Sequence, residues 1–125
     1  MGNPFVHLEL QTTDLDRAKK FYANLFEWKV NDVPMGEMGN YAMLDVGGQA
    51  GAAGGGMMKN PVPNVPSHWL AYIGVKDVAA TVDRAQKLGA KVLQPKAEIP
   101  NMGSYAIIQD PTGAVIGLWQ AAESR

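Results

Sequence analysis

His7, Glu9 and Gln11 occupy every second position of one short run, Phe5-Val-His-Leu-Glu-Leu-Gln11. In an extended chain that spacing puts all three on one face, because successive side chains alternate sides. An imidazole beside a carboxylate and an amide can accept a proton, pass it on, or fix a polar ligand. A purely apolar core has no use for three polar groups in a row. The chain has one further histidine, His68, and no cysteine. Three imidazoles therefore cannot gather on a metal within one chain, and cysteine nucleophiles, disulfides and Cys-ligated metals are excluded. His7, Glu9 and His68 could form a displaced facial triad for a divalent ion. Against this, residues two apart on one strand face sit about 7 Å apart, far for two ligands of one ion.

The elements that must position these groups follow from pattern. Val6, Leu8 and Leu10 alternate with the polar set, so 5–11 reads as a strand. Thr12-Thr13-Asp14 opens a helix, with Thr13 or Asp14 as N-cap, and Leu15, Ala18, Phe21, Tyr22, Leu25 and Phe26 form its apolar stripe over 14–27. Strands are expected over 28–33, 41–46 and 49–58, the last weakened by glycine. Pro61, Pro63 and Pro66 make 59–67 a connector. The order then begins again. A strand over 68–75 precedes a helix opened by Lys76-Asp77, with Val78, Val82, Ala85 and Leu88 on its stripe and Gly89 at its end. A strand at 91–94, a loop over 95–103, a strand at 105–109, the turn Asp110-Pro111-Thr112-Gly113 and a strand over 114–120 complete the half.

The repeat is visible in residues as well. Asp14-Leu15 corresponds to Asp77-Val78, Trp28-Lys29-Val30 to Ala90-Lys91-Val92, and Tyr41-Ala42-Met43 to Tyr105-Ala106-Ile107. Two units of this length are too few and too long for a solenoid. They predict an α+β fold of two tandem βαβββ modules: module 1 over about residues 4–58, a proline-rich connector at 59–67, and module 2 over about 68–120, within one domain of residues 1–125. A single ferredoxin-like domain with coincidental matches is the alternative.

With 125 residues, 46% hydrophobic and 18% charged, the chain can bury a core without staples. A net charge of -1 carries no nucleic-acid footprint, and no apolar run approaches the length of a membrane span. Residues 1–10 do not read as a secretion signal, so the expected setting is cytoplasmic, with no nucleic-acid or membrane partner.

The run from His7 to Asp14-Leu15, followed by Ala18, Phe21-Tyr22, Leu25-Phe26 and Trp28, resembles the opening of vicinal oxygen chelate proteins. That superfamily includes glyoxalase I, bleomycin-resistance proteins and extradiol ring-cleaving dioxygenases. The ending Asp110-Pro-Thr-Gly-Ala-Val-Ile-Gly-Leu-Trp-Gln120 is similar to the family's closing hairpin. The resemblance implies two modules forming a cupped mixed sheet around a central cavity, and commonly a homodimer. It also implies four metal-ligand positions, which here carry His7, Leu70, Gly117 and a residue near Gly51 or Ala52. His7 is the one family-type donor retained. No metal and no cofactor is therefore predicted, although a divalent metal remains the alternative.

The resulting expectation is a glyoxalase/bleomycin-resistance-like protein that binds a small apolar or aromatic ligand in the inter-module cavity. His7 and Glu9 are the candidate catalytic groups; Gln11, Tyr41, His68, Tyr72, Tyr105 and Trp119 are the candidate ligand contacts. Trp69 is expected beneath the second helix. Gly51, Ala52, Gly54 and Gly117 would either leave space in the cavity or accommodate sheet curvature. Met35, Met38, Met57 and Met58 would line a pocket or cover a dimer contact. Two alternatives stand: a metal-dependent lyase, isomerase or ring-cleaving dioxygenase, and a metal-free enzyme using His7 or Glu9 as base.

Overall fold

A computed structural model describes residues 2–34, 40–48, 53–61 and 64–122. Gly51, Ala52, Met35, Met38 and the connector's Pro63 lie outside the described residues. The chain divides into two compact units, His7–Leu70 and Met1–Val6 with Ala71–Arg125. Along the chain the elements form two modules built to one plan.

In the first, β1 (Phe5–Thr12) leads into α1 (Leu15–Leu25), followed by β2 (Lys29–Pro34), β3 (Asn40–Asp45) and β4 (Gly54–Lys59). The strand order is β2-β3-β4-β1, with β1 and β4 parallel and the other pairs antiparallel. Asp14 caps α1 by accepting from the Arg17 amide at 3.1 Å, and Thr12 Oγ1 accepts from the Asp14 amide. The inner stripe Leu15, Ala18 and Tyr22 packs on Leu10, Ala42, Leu44 and Met57. Met57 has no exposed surface, so it is core rather than a pocket lining or a dimer contact.

In the second module, β5 (His68–Gly74) leads into α2 (Val78–Lys87), then β6 (Lys91–Ile99), β7 (Gly103–Gln109) and β8 (Val115–Ala121). The order is β5-β8-β7-β6, with β5 and β8 again parallel. Asp77 caps α2 through the Ala80 amide at 3.1 Å, as Asp14 does in α1. Val78 is fully buried against Ala106, Ile108 and Leu118. The architecture is α+β with two tandem βαβββ modules, as the repeat predicted.

Three local expectations are corrected. Leu88 does not join the buried stripe of α2. It is the C-cap and 71% exposed, because the chain turns away there into Gly89 at φ +100°. The loop expected over 95–103 is instead strand as far as Ile99. Strand β6 is last in its module's order, where Pro95 need not donate to a neighbour, and two register shifts absorb its irregularity. Trp69 packs with the first helix, not the second. Its ring meets Tyr22 edge-on at 5.5 Å and Trp28 at 6.3 Å, and its Nε1 donates to Tyr22 Oη.

Candidate functional site

The polar face of β1 does converge with one residue from elsewhere in its module. Glu9 and Gln11 are buried, each 6% exposed. Gln11 Nε2 donates to Glu9 Oε2 at 2.8 Å. Tyr41 Oη donates to Glu9 Oε1 at 2.9 Å and lies 2.7 Å from His7 Nε2. Since the phenol's one proton goes to the carboxylate, Nε2 must be the donor toward Tyr41. Donors thus run from imidazole to phenol to carboxylate, with Gln11 closing the other oxygen. A buried carboxylate with a donor on each oxygen is the arrangement that makes burial of its charge tolerable.

Burial is also what acts most strongly on His7. Loss of solvent pushes its pKa below the ordinary 6.5, and the Glu9 carboxylate only partly offsets this. A neutral imidazole with its proton on Nε2 carries its lone pair on Nδ1, which lies 3.8 Å from where a Cβ on Gly54 would stand.

The other candidates have surroundings of their own. His68 Nδ1 donates to the Pro66 carbonyl at 2.8 Å, turning the ring onto its own connector. Tyr72 is buried on β5, its ring lying over Gly117, its partner in register on β8. Tyr105 and Trp119 are paired across β7 and β8, and the Trp119 indole covers the place a side chain at Gly103 would take. Gly117 therefore does not leave open space, because Tyr72 fills it. Sequence reasoning also missed Gly56. Glu9 pairs with Gly56 as Tyr72 pairs with Gly117, so Gly56 is the described counterpart of Gly117 in the first module. The Tyr41 ring covers it. The signal was present in the 61-residue offset between these glycines, close to that of the other repeated pairs.

A divalent cation is the group that the resemblance implies. The donor set does not fit it. Among the described residues no cluster of three or more His, Asp or Glu side chains could hold an ion. At Gly56 and Gly117, tyrosine rings occupy the space that a ligating side chain would need.

Two βαβββ modules, each with a parallel first and fourth strand, define the glyoxalase-type fold. The chain belongs to the Glyoxalase/Bleomycin resistance protein/Dioxygenase superfamily, whose family model matches residues 5–118. It is 44% identical over 115 residues to a Mycobacterium tuberculosis protein named "Putative glyoxylase CFP32", and 25% identical over 126 residues to the Streptomyces peucetius "Anthracycline biosynthesis protein DnrV". These matches take in 91% and 90% of this chain but 44% and 45% of the relatives, so the chain spans less than half their length. Among solved structures, the methylmalonyl-CoA epimerase of M. tuberculosis superposes with a TM-score of 0.70 at 19% identity, over 95% of this chain and 88% of that one. The Streptomyces coelicolor methylmalonyl-CoA epimerase in complex with 2-nitronate-propionyl-CoA matches equally well, with a TM-score of 0.70 at 20% identity over 95% and 97%. At these identities the likeness is one of fold. No described helix is long and apolar enough to cross a membrane.

Proposed function

We propose that this chain binds a small, flat, largely apolar ligand without a resident metal, with His7, Glu9, Gln11 and Tyr41 as the polar wall that orients it. The observation that carries the reading is the closed chain of donors onto Glu9, in which Gln11 and Tyr41 supply the partners a cation would otherwise provide. One relative's name places it in anthracycline biosynthesis, whose products are flat aromatic molecules, and that supports the ligand class. The test is thermal unfolding of the purified chain with a soluble anthracycline and with benzoate, together with elemental analysis. Saturable stabilisation of a metal-free protein, weakened in Tyr41→Phe, is expected. Absence of stabilisation by either probe overturns the ligand class.

A second reading has its own observation. Burial holds His7 below its ordinary pKa and so keeps it neutral, and with Nε2 committed to Tyr41 its Nδ1 is the nitrogen that can take up a proton. In that case the protein is a metal-free enzyme abstracting a proton from a bound small molecule. A rate that falls at least tenfold in His7→Gln, with binding retained, supports it; an unchanged rate rejects it. The chain is also read as a homodimer, which light scattering at twice the monomer mass would bear out and a constant monomer mass would refute.

A further inference from the structure

Tyr41, which joins His7 to Glu9, stands on neither neighbouring strand. It belongs to β3, whereas His7 and Glu9 belong to β1, and β4 runs between them. With strands about 4.8 Å apart, the phenol must reach across roughly 9–10 Å of sheet. The residue of β4 that faces Glu9 in register is Gly56, which faces Met43 on its other side. Tyr41 is two residues before Met43 and so shares its face of β3. A Cβ placed on Gly56 would fall inside the Tyr41 ring, against Oη, Cζ and Cε2.

The backbone does not explain the glycine. Gly56 is not among the residues with positive φ, so any amino acid could adopt its conformation. Its neighbours make the contrast. A Cβ on Gly54 would sit 3.8 Å from His7 Nδ1, and one on Gly55 would sit 3.4 Å from Leu44 Cδ1, both ordinary contacts. Position 56 alone of the three is closed to a side chain, and what closes it is the tyrosine of the site.

We propose that Gly56 is a positioning residue: the space left by its missing side chain is the opening through which Tyr41 crosses β4 and ties the His7 imidazole to the Glu9 carboxylate. This rests on the reading of His7 and Glu9 as the polar wall of a binding site, and deepens it. The second module places a glycine under a tyrosine at the matching register, Gly117 beneath Tyr72, although there the ring comes from β5.

The experiment uses the full chain with Gly56→Ala, Tyr41→Ala, the double variant, and Gly55→Ala as control. Nitrogen NMR shifts of the His7 ring, taken above its titration range, report which nitrogen carries the proton. The wild type and Gly55→Ala should show the proton on Nε2. Gly56→Ala and Tyr41→Ala should both shift toward a tautomer mixture, and the double variant should match Tyr41→Ala. Gly56→Ala should lower the melting temperature by about 5 °C or more when Tyr41 is present and by much less in the Tyr41→Ala background. An unchanged His7 signature in Gly56→Ala, or equal losses in both backgrounds, overturns the proposal. Should Gly56→Ala alone fail to fold, a folded double variant supports the steric link and an unfolded one overturns it. Anthracycline-induced stabilisation is read on the same samples. If it is lacking in a wild type that shows the Nε2 signature, the binding reading falls and the role of Gly56 stands. If it is present and equal in wild type and Gly56→Ala, the role of Gly56 in the site falls.

Discussion

Gln11 Nε2 donates to Glu9 Oε2 over 2.8 Å, between two side chains on the same face of β1 that are each 6% exposed. A carboxylate buried to that degree is stable only while donors stand against it. Gln11→Leu removes one of them and leaves an apolar group facing the charge. The expected loss is about 1–3 kcal/mol of unfolding free energy, measured by urea denaturation. The double variant Glu9→Leu with Gln11→Leu should cost less than the sum of the singles, because neither group is then left facing an apolar partner.

Acid should act through His7. Burial holds its folded-state pKa below the ordinary 6.5, so the unfolded chain takes up a proton first as pH falls. The stabilisation is complete above about 6.5 and is lost progressively as pH drops below that value and through the lower folded-state pKa. Melting temperatures followed from mildly alkaline to mildly acidic pH should fall more steeply for the wild type than for His7→Gln. Parallel profiles would show that His7 does not couple to folding.

Metal should have no effect on the protein. Elemental analysis is expected to find no stoichiometric transition metal, and neither added zinc, nickel or manganese nor a chelator should move the melting temperature. One bound metal per chain, lost in His7→Ala, would restore the metal-dependent alternative.

The two helix caps should behave as equivalents. Asp14 and Asp77 each accept a backbone amide at 3.1 Å in the first turn. Asp14→Ala and Asp77→Ala should each cost about 1 kcal/mol, and Asp→Asn at either site much less. A loss several times larger at one position would mean that the carboxylate there does more than cap.

Features that depend on neighbouring residues were legible in the chain itself. Alternation over 5–11 set the strand and its polar face, Asp14 and Asp77 marked the helix starts, and Gly89 the end of α2. These signals are local because backbone geometry repeats over two or about four residues. The duplication was legible for the same reason: two copies of one local pattern give two copies of one module. Sequence alone therefore determined the fold class and the His7–Glu9–Gln11 face.

Partnerships across strands were decided elsewhere. Nothing near Tyr41 announces that it reaches Glu9, since the contact exists only because β4 lies between β3 and β1 and carries Gly56 at the crossing. Trp69 has the alternation of an inward residue in its own strand, yet its ring joins Tyr22 and Trp28, a choice made by packing. His68 has the parity of a ligand residue but turns to the Pro66 carbonyl. Gly117 offered either open space or relief of sheet curvature by its type alone, and the Tyr72 ring fills that space. Strand parity tells which side a group leaves from. Strand order and register, which bring distant residues within a few ångströms, decide what it meets.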